Sequence, residues 1–153
     1  MLTLALALAL VLPQPGFLVA GKSLGGVRLG ATEAQVRDAW GTRVGVCRGC
    51  ERRTLYFTYG AFDQSGVGAE FVRGRAVALY TLWAPNGWRT DRGVRLGAPE
   101  LDVVNVYRGM LRAECGHYFG RSLRRGRVVT AFWFYDGSLW AFGIQRPSVP
   151  LCR

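Results

Sequence analysis

The chain is 153 residues long, 50% apolar and 20% charged, with 21 glycines and only 6 prolines. That composition excludes a disordered tail, a collagen-like repeat and a coiled coil, and the length suits one domain or two small ones. Its 20 basic side chains, all arginine but for Lys22, oppose 10 acidic ones, and the resulting charge of +10 lies wholly beyond residue 20.

The first element in chain order is an uncharged leader. Leu2–Leu12 is an unbroken run of Leu, Ala and Val with one Thr, followed by Pro13, Pro15 and Gly16 and then by Phe17-Leu18-Val19-Ala20. The run is too short to cross a bilayer core of roughly 30 Å as a helix, so residues 1–20 are predicted to be a secretory signal peptide cleaved after Ala20. No basic residue follows Met1, which keeps an uncleaved anchor as a variant of this reading, and no cysteine follows the run to carry a lipid. The predicted location is therefore secreted, periplasmic or in the cell envelope. In those compartments the four cysteines pair as disulfides.

Beyond the leader the chain repeats itself. Gly26-Val27-Arg28-Leu29-Gly30-Ala31-Thr32-Glu33 recurs as Gly93-Val94-Arg95-Leu96-Gly97-Ala98-Pro99-Glu100, identical at seven of eight positions. Each block opens an amphipathic helix, because Val36, Ala39 and Trp40 in one copy, and Val103, Val106 and Tyr107 in the other, share a helical face. Thr32 with Gln35 makes an N-cap and its reciprocal partner, while Pro99 with Glu100 and Asp102 suits a first turn. Strands follow in both copies: in the second, a hairpin of Val128–Tyr135 and Ser138–Gln145 turning on Asp136-Gly137, and in the first, a strand Thr54–Tyr59 and then Phe71–Leu79, which echoes that hairpin with Gly74 matching Gly137. Regular pairing across that turn sets Trp133 opposite Trp140, Ala131 opposite Phe142 and Phe134 opposite Leu139, with both faces apolar. The expected fold class is α+β: two tandem modules, 21–84 and 93–153, each with an N-terminal helix or helices packed on an antiparallel sheet, joined by a linker over 85–92. Cys47 and Cys50 fall in the first copy, Cys115 and Cys152 in the second. Of three possible pairings, bridges kept within each copy give Cys47–Cys50 and Cys115–Cys152.

The stretch V-R-L-G-A-T-E-A-Q-V-R-D-A-W-G, Val27 to Gly41, resembles the opening of the small module of the outer-membrane assembly lipoproteins called SmpA, OmlA or BamE. Its duplication resembles the tandem arrangement of the β-lactamase inhibitory proteins. The resemblance implies two modules side by side whose sheets form one curved surface, and a role in binding a protein partner. It carries over no contact residue.

The residues themselves point away from catalysis. There is one histidine, His117, with no H-E-x-x-H, no G-x-S-x-G and no phosphate-binding glycine loop, so neither a cofactor nor a metal is expected. A cysteine held in a disulfide offers no thiolate for His117 to activate. The reading is a non-enzymatic protein-binding module of the bacterial envelope or exterior. The alternative is a protein inhibitor of a secreted or periplasmic enzyme such as a β-lactamase, and the second alternative is a small hydrolase using paired carboxylates. Trp133, Trp140 and Phe142 with Arg146 at the strand end form the expected contact patch, since rigid rings and guanidinium groups dominate interface energies. The opposing reading places the two tryptophans in the core. Arg121, Arg124, Arg125 and Arg127 offer weak contact with anionic surfaces, and export disfavours nucleic acid.

Overall fold

Two short helices begin the two copies, and their lengths follow from their ends. In the computed structural model, which describes residues 16–58 and 65–153, α1 (Glu33–Trp40) opens on a capping box. The Thr32 hydroxyl accepts from the Gln35 N–H at 3.2 Å, and the Gln35 side chain accepts from the Thr32 N–H at 2.9 Å. Eight residues later it stops at Gly41, whose φ of 98° a side chain would resist. The second helix, α2 (Glu100–Val106), has Pro99 at its N-cap with no side-chain cap and runs only seven residues. Val36 and Trp40 of α1, and Val103 with Tyr107 just past α2, are buried, whereas Ala39 is exposed.

The rest is sheet. Eleven strands are present among the described residues: β1 (Phe17–Val19), β2 (Ser23–Leu24), β3 (Val44–Val46), β4 (Arg53–Thr58), β5 (Gly66–Val72), β6 (Arg75–Leu82), β7 (Arg89–Thr90), β8 (Leu111–Glu114), β9 (Phe119–Arg125), β10 (Val128–Tyr135) and β11 (Ser138–Gln145). Eight of them form one antiparallel sheet in the order β3-β4-β5-β6-β11-β10-β9-β8, and β2-β1-β7 form a small second sheet. This overturns the α+β expectation. The chain is mostly β, and its helices of eight and seven residues lie on a single continuous eight-stranded sheet rather than building a helical layer in each of two modules. The helical signals were real but short, because Gly41 and Tyr107 end each helix after two turns. The segments after them, Val44–Val46 and Leu111–Glu114, become edge strands.

The apolar run Leu2–Leu12 lies outside the described residues. The last residues assigned to the leader do not: Phe17–Val19 form β1, antiparallel to β2 and parallel to β7, with Leu18 fully buried. The segment read as a linker likewise supplies β7 and the buried Trp88.

The duplication is visible in hydrogen bonds. The Gly30 N–H donates to the Ala76 carbonyl and the Ala76 N–H to the Ala31 carbonyl. In the second half Gly97 donates to Leu139, and Leu139 to Ala98. Both main hairpins turn on a positive-φ pair, Arg73-Gly74 and Asp136-Gly137. Each also carries a β-bulge at the same place, between Glu70 and Phe71 and between Trp133 and Phe134. The halves meet where β6 pairs with β11, at Ala78↔Gln145, Leu79↔Ile144 and Tyr80↔Gly143. Gly143 is required at this seam, since a Cβ there would lie 2.2 Å from the Leu79 carbonyl oxygen.

One face of the large sheet, with Leu55, Phe57, Leu79, Phe132, Phe134, Leu139 and Phe142, packs under the helices and the small sheet as the main core. The second face has a smaller apolar cluster, Ala78, Tyr80, Ala131, Trp133, Ala141 and Val149, and receives no helix.

Candidate functional site

The bulge between Trp133 and Phe134 sets up the second face. Phe134 pairs with Leu139, but Trp133 pairs with Ala141, so Trp140 is the extra residue and Phe132, not Ala131, faces Phe142. This corrects the regular register expected from sequence. In a bulge of this kind two successive residues stand over one partner on the same face. Trp140 and Ala141 are thereby turned towards Trp133, while Phe142 goes into the main core with no exposed surface.

Over this face runs the segment after β11. The Gln145 side-chain amide donates to the Val149 carbonyl at 2.6 Å, the Trp133 indole N–H donates to the Leu151 carbonyl at 2.8 Å, and the Tyr118 hydroxyl donates to the Arg153 carbonyl at 2.8 Å. Leu151 occupies the notch above Gly120, where a Cβ would come within 2.8 Å of it. The disulfide Cys115–Cys152 fastens this segment to the end of β8, and Cys47–Cys50 closes the β3–β4 turn. No cysteine is free among the described residues.

Between this segment and β4 lies a cleft of about 590 Å³, lined by Tyr56, Tyr80, Tyr118, Trp133 and Trp140 together with Arg52, Glu70 and Arg153. Its outer lip is a second hollow of about 430 Å³ formed by Tyr56, Thr58, Leu82, Trp83 and Trp140. Trp83 is 67% exposed, and its ring centre is 6.4 Å from that of Trp140, which stands edge-on to Tyr118 at 6.3 Å. Trp83 and Ala84 both have φ in the left-handed region, 57° and 47°. For a bulky residue that conformation is strained. The Trp140 indole N–H is buried with no hydrogen-bond partner among the described residues.

The inner end is polar. Glu70, on β5 beside its bulge, is only 7% exposed. Its carboxylate is ion-paired with Arg153 and lies 3.4 Å from Arg52. Burial, reinforced by the charge of Glu70, pushes the Tyr80 hydroxyl well above the usual tyrosine range, so it stays a neutral phenol. No three His, Cys, Asp or Glu side chains gather to hold a metal among the described residues. With both cysteine pairs oxidised, the site offers shape, rings and charge.

Of the expected contact residues, Trp140 stands at the cleft. Trp133, 4% exposed, forms its floor beneath the tail, and Phe142 is on the opposite face. Arg146 lies beside Gly30 in the loop entering α1 and does not line the cleft. Sequence reasoning missed Trp83, Tyr56 and Glu70. Tyr56 was findable by alternation, because Leu55 and Phe57 point into the main core and Tyr56 must then face the other way. Of the four arginines assigned to anionic contacts, Arg121 is engaged by Glu100 at 2.6 Å, Arg124 donates to the Gly126 carbonyl, and Arg125 packs against Gly21. Arg127 is exposed.

No family model and no curated protein matches the chain. Among solved structures it is similar to an extracellular protein containing a SCP domain from Bacillus anthracis str. Ames, with a TM-score of 0.56 and 10% identity. The match covers 78% of this chain and 44% of that one, so the chain spans less than half the neighbour's length, and the likeness is one of fold.

Proposed function

We propose that the chain is an exported, non-enzymatic protein-binding module that contacts its partner through the lip of the second face, with Trp83 and Trp140 as anchors and Tyr56 and Tyr118 beside them. The observation that carries this is Trp83: a large ring left 67% exposed, held on strained backbone next to a second tryptophan at the mouth of a cleft. Exposed aromatic clusters beside a concavity mark contact sites, because they gain area at little cost in side-chain entropy. Two disulfides support an oxidising compartment, and the structural neighbour is itself described as extracellular.

The test compares wild type with Trp83→Gly and Trp140→Ala as immobilised baits for envelope and culture-fluid proteins. A single protein retained saturably by wild type, and about tenfold less by either variant with its melting curve intact, supports the reading. If that protein is a hydrolase whose turnover falls on binding, the module is an inhibitor. Retention that ignores both substitutions, or turnover of a small substrate by the purified chain, overturns it.

A further inference from the structure

We infer that the inner end of the cleft is a guanidinium-binding site, that Arg153 is its internal occupant, and that an arginine side chain of the protein partner takes the same place. This rests on the protein-binding reading above and names what the partner must bring.

The site is built from buried groups. Glu70 faces the occupant with one carboxylate oxygen and Arg52 with the other, so removing Arg153 leaves an acceptor free. Gln145, buried at the end of β11, spends its N–H on the Val149 carbonyl and thereby turns its oxygen to the occupant, accepting from Arg153 at 2.9 Å. The guanidinium carbon sits 4.4 Å from the centre of the Tyr80 ring and 5.4 Å from that of Trp133. Tyr80 itself is seated over Gly68, where a Cβ would press on its ring at 2.6 Å. A carboxylate, an amide oxygen and two ring faces match a flat, forked, weakly hydrated cation and do not match a compact ammonium.

Exchange is built in as well. Arg153 lies one residue past Cys152, and its N–H and carbonyl are both held by the Tyr118 hydroxyl. Its side chain can therefore leave while the tail stays fastened. With the Arg153 side chain gone, Arg52 still holds one Glu70 oxygen, but the other oxygen and the buried Gln145 carbonyl lose their donors, so the vacated site favours a forked donor of the same kind.

The experiment titrates the full chain with methylguanidinium and with methylammonium, following the Trp133 indole N–H resonance. Arg153→Ala should bind methylguanidinium saturably, about tenfold or more tighter than it binds methylammonium and than wild type binds either. Adding Glu70→Gln should abolish this. Arg153→Gln makes the same comparison should the alanine variant fail to fold. A folded variant that gives no saturable shift, responds equally to both cations, or binds unchanged after Glu70→Gln overturns the site. Partner retention that survives Glu70→Gln overturns the partner's arginine alone. Retention indifferent to Trp83→Gly, with methylguanidinium still bound, rejects the contact face and leaves the site standing.

Discussion

Strand β1 makes the position of the mature N-terminus a question of stability. Leu18 is fully buried, paired with Leu24 on one side and Thr90 on the other, and its carbonyl accepts from the Asp91 N–H at 2.9 Å. A buried Leu→Ala change costs about 3 kcal/mol from lost transfer energy and the cavity left behind. For a chain of this size that is a fall in Tm of roughly 10 °C. Leu18→Ala is therefore a reporter placed inside the segment that a cut after Ala20 would discard. The full chain from Met1, wild type and variant, should be expressed, weighed intact and melted by circular dichroism. The place of β1 in the core predicts residue 18 in the recovered mass and the large fall in Tm. Identical masses and identical melting curves would mean that Leu18 had been removed, and would refute the place given to β1 in the core.

Further outcomes follow from other features. Gly143→Ala drives a Cβ into the Leu79 carbonyl, so the β6–β11 seam must open and Tm should fall by more than a surface change allows, measured against Gly45→Ala, whose Cβ meets nothing within 4 Å, as the edge-strand control. Replacing Cys115 and Cys152 by serine should cost about 4 kcal/mol in urea unfolding, the chain-entropy value for a separation of 37 residues, whereas losing Cys47–Cys50 should cost much less. The hydrogen bond from Arg53 holds the Glu33 carboxyl below the ordinary glutamate range. That pairing stabilises the fold above about pH 4.3 and is lost as the pH falls through the lowered value. Arg53→Met should accordingly flatten the acid limb of the urea midpoint against pH.

The sequence was legible wherever one residue type has one job. The capping box at Thr32 and the Asp136-Gly137 turn rest on local chemistry, and the two disulfide pairings rest on the repeat that assigns two cysteines to each copy; the structure has each of them in place. The bulges were not legible. A bulge adds one residue to one strand, and no composition marks it, yet it sends Trp140 towards the cleft and Phe142 to the core. Nor did helical periodicity reveal that only two turns would form before the chain entered edge strands. Glu70 was invisible for another reason: a buried carboxylate is explained only by its cations, and Arg153 is remote from it in sequence.

The seam between β6 and β11 has a consequence for how the two copies protect each other. Tyr80 and Gly143 hold the same place in the two hairpins and face each other directly, flanked by Leu79↔Ile144, with the Phe142 N–H donating to the Thr81 hydroxyl. Equivalent positions meeting each other is the geometry of an isologous contact, in which one surface pairs with its own copy about a two-fold axis. A single copy would expose that strand edge, and an unpaired edge is a template for another chain. Within one chain the edge of each copy is covered by the other, and the two sides of the pairing need not be identical. At the axis one copy has Tyr80, with the buried Glu70 on the neighbouring strand, and the other has Gly143, whose missing side chain lets the tyrosine's strand approach.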